Sequence, residues 1–335
     1  MNRITIQKVA ELAGVSTATV SRAIHYPQRV KDETRERIQS IMRRHHYVYD
    51  ANAADLSRKR SSTIGMLIPS SHVFTRTTVA VLEKAQENGF TVMVGNTRYD
   101  SAREEKLWRQ VQERRPAGII CTGLNTEHEH YLEWARRAGI PCIVIWEKPD
   151  DPDVSFVGFD NHDAAYAMTE YLIHLKHERI GLIIGPFSKV GRVKKRMLGY
   201  KDCLEAHGLR FDPDIVVEKE PVLADGMEAM VRIMSHPEPP SAVFAASDVL
   251  AIGALAGADS LGLRVPEDVS VAGFDDIEYA AFTRPALTTV RVHGYEIGEM
   301  AVKLLIEMIN EEKPRVRQFC LRTDLVLRDS CRMRE

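Results

Sequence analysis

The chain has 335 residues, 44% hydrophobic and 27% charged, with a formal net charge of −2. That length allows two or three cored domains, and the composition excludes a low-complexity or fibrous chain. No apolar run approaches the roughly 18–20 residues that span a bilayer, and the first residues form no apolar signal segment, so the sequence points to a cytoplasmic protein with no membrane partner. The charge is uneven. Residues 1–61 hold 12 Lys or Arg against 6 Asp or Glu, while the rest hold 33 against 41. A basic head on an acidic body suggests that the head meets a polyanion. Cys121, Cys142, Cys203, Cys320 and Cys331 are odd in number and show no CxxC pair, which fits a reduced compartment and no zinc site.

In chain order, the first elements are two short helices around a tight turn, within Thr5–Ile24. Thr5 and Ser16 can cap them, each accepting a backbone N–H, although neither is followed by the Glu or Gln of a capping box. Ile6, Val9 and Ala10 share one face of the first helix, and Val15, Val20 and Ile24 match them around the second. Gly14 stands where the chain must turn, a position that favours positive φ. The pattern fits a helix-turn-helix, whose second helix enters a major groove; a plain helical hairpin has the same spacing. A third helix is expected over about 33–46, capped by Asp32, burying Ile38, Ile41 and Met42 and closed by Tyr47. From Ser62, short apolar runs alternate with helical stretches. The runs are Thr63–Pro69, Phe90–Val94, Gly118–Cys121, Cys142–Trp146, Ile180–Ile184, Ala242–Ala246 and Val269–Gly273. Repeated βαβ units demand parallel sheets with right-handed crossovers, and ligands bind beyond the carboxyl ends of such strands.

Val9-Ala10, Ala13-Gly14-Val15-Ser16, Thr19-Val20-Ser21-Arg22, Thr34-Arg35, Tyr47 and Leu56 resemble, without insertion or deletion, the N-terminus of the LacI family of bacterial transcription repressors. The resemblance continues through Asn96–Asp100, Phe159-Asp160-Asn161, Gly185-Pro186, Arg196–Tyr200, Ser247-Asp248, Val265–Asp276 and Leu287–Val290. It implies a small all-α head with a hinge helix over residues 1–61. The body, 62–335, is then an α/β two-lobed domain like a periplasmic binding protein, with parallel sheets. Lobe one is expected over about 62–160 plus 291–321, and lobe two over 161–289 plus 322–335.

In the head, the resemblance makes Thr17, Ala18 and Arg22 the readers of base edges. Arg22 can donate twice to guanine, Ala18 can touch a thymine methyl, and Thr17 can do either. Contact with phosphate alone is the other reading of Arg22. Ser16, Thr19, Ser21, Arg29 and Arg35 suit phosphates, which fix register, and Thr5 is placed on the DNA face with them. Residues 50–57 match the hinge helix. Its leucine, here Leu56, wedges into the minor groove when two subunits lie over the operator centre. An eight-residue helix is unstable in isolation, which suits folding coupled to binding. Tyr49, Ala54, Asp55, His25 and Lys31 depart from the family pattern, so the operator sequence does not follow from the resemblance.

In the body, effector contacts carry over to Arg196, Ser247 and Asp275, a fork and a carboxylate suited to a polyhydroxylated ligand. Trp146 and Phe159 match cleft positions and could stack on a sugar or simply fill core. Phe74 lies in the loop after the first strand. Ser247 replaces a frequent asparagine. Lys189, Arg192, Lys194 and Lys195 either favour an anionic ligand such as a sugar acid or form a solvated face. The loop between Gly185 and Gly191 has one residue too many for a P-loop, and no GxGxxG or GxSxG occurs. His128 and His130 would not share a helix face as metal ligands, and His174 and His177 fit a structural role better. The expectation is therefore a dimeric repressor, not an enzyme, with neither metal nor cofactor, set by a small effector such as a sugar or sugar acid. An exported solute-binding protein and a sugar-modifying enzyme are the rival classes. The basic head opposes the first, and the lack of a catalytic constellation opposes the second.

Overall fold

The computed structural model describes residues 4–48, 61–69, 73–123, 129–186 and 190–334. Its contacts divide the chain into two compact units, Met1–Ser61 and Ser62–Glu335. Among the described residues no helix is long and apolar enough to cross a membrane. The hinge residues 50–57, Leu56 included, lie outside the described residues.

The head contains α1 (Ile6–Ala13), α2 (Thr17–His25) and α3 (Asp32–Arg44). Thr5 caps α1 by accepting from Lys8 N, and Ser16 caps α2 by accepting from Thr19 N. Between them Gly14 adopts φ 64°, and its N–H closes the first helix onto Ala10 and Glu11 carbonyls. This left-handed stop is cheap only for glycine. Val9, Ala10, Ala13, Val20, Ala23 and Ile38 form the buried centre, with Ile41, Met42 and Tyr47 packed around it. The third helix begins one residue earlier than the sequence pattern implies. Asp32 is its first residue rather than its cap, because its carboxylate reaches Arg35 at 2.8 Å instead of a free N–H. A core this small gives the head little stability of its own.

The body contains two six-stranded sheets. The first is built from β1 (Thr63–Ile68), β2 (Thr91–Asn96), β3 (Gly118–Thr122), β4 (Cys142–Ile145), β5 (Phe156–Gly158) and β11 (Gln318–Cys320) in the order β11-β5-β4-β3-β1-β2. The second has β6 (Ile180–Ile184), β7 (Val216–Glu218), β8 (Ala242–Ala245), β9 (Ser270–Asp275), β10 (Thr288–Arg291) and β12 (Asp324–Val326) in the order β12-β10-β9-β8-β6-β7. The pairing is parallel except where β12 returns antiparallel to β10. That edge departs from an all-parallel expectation and is common on otherwise parallel sheets. The helices that flank the sheets and reach the cleft are α4 (Thr75–Glu87), α5 (Ser101–Arg114), α6 (Glu129–Arg137), α7 (Asn161–His174), α8 (Gly191–Ala206), α9 (Leu223–Met234), α10 (Asp248–Ser260) and α11 (Gly294–Asn310).

Central strands such as β6 and β8 are buried along their whole length, as expected of strands covered on both faces. The four three-residue strands are too short to stand out as apolar runs. The chain crosses between sheets after β5, after β10 and after β11, so α11 packs on α4 beside the first sheet. Gly298 makes this possible, since a Cβ there would meet the Thr77 carbonyl oxygen and the Ala80 methyl.

Candidate DNA-reading face and ligand cleft

On α2, Val20 and Ala23 turn inward while Thr17, Ala18 and Arg22 are exposed. The three predicted readers thus share the solvent side of one helix. Ser16 Oγ and Thr19 Oγ1 lie 3.0 Å apart at its start, and the first-turn N–H groups there favour an anion. Thr5 is exposed at the start of α1, and Ser21 is half-buried. Arg29 is exposed and lies over the Tyr26 ring at 5.2 Å, whereas Arg35 is half-buried and tied to Asp32.

In the body, the carboxyl ends of the central strands meet in a small cleft with room for about 40 Å³ of water-sized occupants. Phe74, Trp146, Arg196, Ser247 and Asp275, all predicted from the sequence, line it. Phe159 does not. It is fully buried behind the wall, 6.1 Å from the Trp146 ring and 6.2 Å from Phe274, so it supports the lining side chains. Phe74 packs edge-on to Trp146 at 4.7 Å. The indole N–H donates to Thr77 Oγ1 at 3.0 Å, and Thr77 donates onward to the Gly294 carbonyl at 2.8 Å. These bonds leave Trp146 little freedom to turn.

Arg196 is held from α8. Its Nε donates to Asn161 Oδ1 and its Nη1 to the Ala246 carbonyl, both at 2.8 Å. Its guanidinium lies 3.7 Å from the Phe274 ring centre and 3.7 Å from Asp275 Oδ1. Burial lowers the Arg196 pKa to about 10, against the raising effect of Asp275. Burial likewise pushes Asp275 up to about 6, with Arg196 and the Ser247 hydroxyl opposing it. Ser247 is near enough to exert that pull, yet among the described residues neither Ser247 Oγ nor Asp275 Oδ1 completes a hydrogen bond of ordinary geometry. A buried hydroxyl and a buried carboxylate oxygen without partners are costly, and a polyhydroxylated molecule would satisfy both.

Beneath Asp275, the Asp248 carboxylate is fully buried, accepting from Thr289 Oγ1 at 2.5 Å and Ile277 N at 2.8 Å. Burial, then the Asp275 charge, raise its pKa well above the usual range. Asp276 is tied instead to Arg291 and Arg328, each at 2.7 Å. Trp146 (φ 68°) and Asp275 (φ 113°) hold left-handed backbone at the ends of β4 and β9. Such conformations cost on the order of 1–3 kcal/mol each and gather at binding sites.

The basic group before Arg196 separates. Lys194 is exposed, Lys195 pairs with Asp150 at 2.8 Å, and Lys189 lies outside the described residues. Arg192 turns inward and lines the cleft, as does Tyr99, which the sequence does not single out. The signal is available for Arg192, since positions 192 and 196 share a helix face. His177 is structural, bonding Ser241 Oγ at 2.9 Å and the Arg332 carbonyl at 3.1 Å. Asp160, His162 and Asp163 cluster within 4.8 Å. Asp160 is occupied capping α7, however, and His162 with Asp202.

Residues 5–50 match the family model of bacterial regulatory proteins, lacI family, and residues 169–331 match that of a periplasmic binding protein-like domain. Over 330 residues the chain is 31% identical to the HTH-type transcriptional repressor CytR of Escherichia coli strain K12, covering 98% of this chain and 96% of that protein. A lac repressor dimer bound to operator and the anti-inducer ONPF superposes with a TM-score of 0.84 at 26% identity, over 98% of this chain and 99% of that one. The complex of the transcriptional regulator CelR with cellobiose gives 0.73 at 28% identity, over 98% and 100%. With its helix-turn-helix head and periplasmic-binding-protein-like body, the chain belongs to the lacI family of bacterial regulatory proteins and is a DNA-binding transcription regulator, not an enzyme.

Proposed function

We propose that this regulator is a repressor of carbohydrate or sugar-acid metabolism genes, and that a small molecule in the cleft sets its hold on DNA. The observation that carries the ligand half is the buried Arg196–Asp275 pair, whose Asp275 Oδ1, like the Ser247 hydroxyl, makes no hydrogen bond among the described residues. A sugar offers neighbouring hydroxyls that both donate and accept. The cellobiose held by CelR, a similar protein, supports the same ligand class here.

For DNA, Thr17, Ala18 and Arg22 read base edges. Thr5, Ser16, Thr19, Ser21, Arg29 and Arg35 serve the backbone, and Leu56 wedges into the minor groove. The regulator works as a homodimer on a pseudo-palindromic operator, since a two-fold protein matches two-fold half-sites. Uncovered apolar side chains on the body support this: Leu223 and Met227 on α9, with Tyr279 and Phe282 at 70% and 72% exposure. Control requires that the ligand bind two arrangements of the lobes with different affinity.

A melting screen of the full chain with sugars, sugar acids, nucleosides and purines tests the reading, because a ligand of the native state raises its melting temperature. A hit is expected to alter attachment to promoter fragments. Absence of any salt-sensitive attachment, with or without the screened compounds, overturns the proposal.

A further inference from the structure

Arg192 stands apart from the other cleft groups. It is 3% exposed, and its Nη2 donates to Tyr99 Oη at 3.3 Å. Its guanidinium lies over the rings of Phe74 at 5.6 Å and Tyr99 at 5.7 Å. Among the described residues no carboxylate lies within 4.0 Å of it. Arg192 Nη1 and Glu147 Oε2 both border Gly123. A buried guanidinium with five donors and, among the described residues, one hydrogen bond is an expensive arrangement unless something else accepts from it. The other charges of the cleft are already answered. Arg196 faces Asp275, and Asp248 is bonded to Thr289 and Ile277.

The two helix ends at the cleft differ in the same sense. The first turn of α10 carries Asp248, which places a carboxyl at its positive end. The first turn of α8 carries no acidic residue, and Val190 at its cap position offers no side-chain bond. Arg192 is the second residue of that turn, so its charge and the positive end of the α8 dipole add on one side of the cleft.

Resting on the reading of the cleft as an effector site, we propose that the effector carries an anionic group, a carboxylate or phosphate, which Arg192 and the α8 N-terminus receive. Asp275 and Ser247 take its hydroxyls from the opposite side. Arg192 is then the residue that selects a sugar acid or sugar phosphate over the neutral sugar.

The test uses the full chain and matched probe pairs: D-glucose with D-glucuronate, D-glucitol with D-gluconate, and D-ribose with D-ribose 5-phosphate. Melting shifts and calorimetry report binding. At least one anion is expected to bind and its neutral partner to bind about 10- to 100-fold more weakly, the span of a charge-assisted hydrogen bond. Arg192→Gln should lose that preference, and Arg192→Lys should keep part of it, since the charge stays while the fork is lost. Circular dichroism and a cooperative melt of each variant without ligand show that the variants fold. Neutral partners binding as tightly as anions, or Arg192→Gln keeping the preference, overturns the role of Arg192 and leaves the cleft reading standing. If no probe of either kind binds or alters DNA attachment, the cleft reading itself falls.

Discussion

Replacing Asp275 with asparagine should make the protein more stable at neutral pH and less able to respond to its ligand. The carboxyl titrates at about 6 in the fold against an ordinary value of 3.8, chiefly because it is buried. Since the folded value is the higher one, the protonated form is the one the fold prefers. The stability it lends is fully present below about pH 4 and is lost as the pH rises through about 6. At about 1.4 kcal/mol per pH unit, the gap amounts to about 3 kcal/mol forfeited at neutral pH. The attraction of Arg196 is already contained in that figure, because it is one of the influences holding the value down to about 6. A carboxamide mimics the neutral carboxyl, so at pH 7.5 Asp275→Asn should raise stability by about 3 kcal/mol, or roughly 5–10 °C in melting temperature. It should also flatten the change in stability between pH 4 and 6 by one proton. Chemical denaturation of both proteins across that range measures the effect. A variant less stable at pH 7.5, or one with an unaltered pH slope, would refute the claim that burial costs the Asp275 carboxylate more than Arg196 returns. The same variant should attach to DNA normally while its response to ligand falls away, the trade expected where a site is built for binding rather than stability.

Three further outcomes can be checked directly. Arg22→Ala should cost about 1–3 kcal/mol of operator affinity and relax base choice at one position; an equal loss on every sequence in anisotropy titrations would assign Arg22 to phosphate. Leu56→Ala should weaken operator binding and reduce DNA bending in a gel-phasing assay, and unchanged bending would remove the wedge. Gly273→Ala should destabilise by about 1–3 kcal/mol through overpacking, since the new methyl meets Asp248 Oδ1 and lies 2.8 Å from Leu287. An unmoved denaturation midpoint would contradict the tight seat described for Asp248.

Much of this molecule is legible in the chain because its signals are local. Thr5, Gly14 and Ser16 declare the head through capping and a positive φ. The apolar runs of β6 and β8 declare buried parallel strands, because nothing polar interrupts them. For Phe159, whose sequence position fits either the cleft or the core, the structure gives the core. Its neighbours in sequence mark a cleft, but only the packing of Trp146 and Phe274 around it shows that it stands behind the wall. Tyr99 escapes notice because it reaches the cleft through left-handed backbone at Arg98 and Tyr99, which no period or propensity records. The cluster around Arg192 is visible as charge, yet its division into an inward arginine and outward lysines follows from the phase of α8.

On the proposed function, the contacts that join the lobes would let one small molecule govern them. Lys195 of α8 reaches Asp150 and the Lys148 carbonyl, both at 2.8 Å. Ion pairs this exposed contribute about 0–1 kcal/mol each, too little to fix the lobes against each other. Among the described residues, the buried contacts between the lobes include the Asn161 bond to the Trp146 carbonyl, the Phe159–Phe274 ring contact and the seating of Arg192 against Phe74 and Tyr99. Arg192 springs from the second lobe and those rings from the first, so a ligand that engages Arg192 acts on the same groups that hold the lobes together. A tenfold to hundredfold change in DNA affinity needs only about 1.4–2.8 kcal/mol of difference between two arrangements. One charge-assisted hydrogen bond gained in one arrangement and absent from the other supplies that amount, whereas rearranging the surface pairs does not. On the proposed reading, the chemistry of the molecule in the cleft therefore decides the lobe equilibrium, and the exposed charges around its rim only trim it.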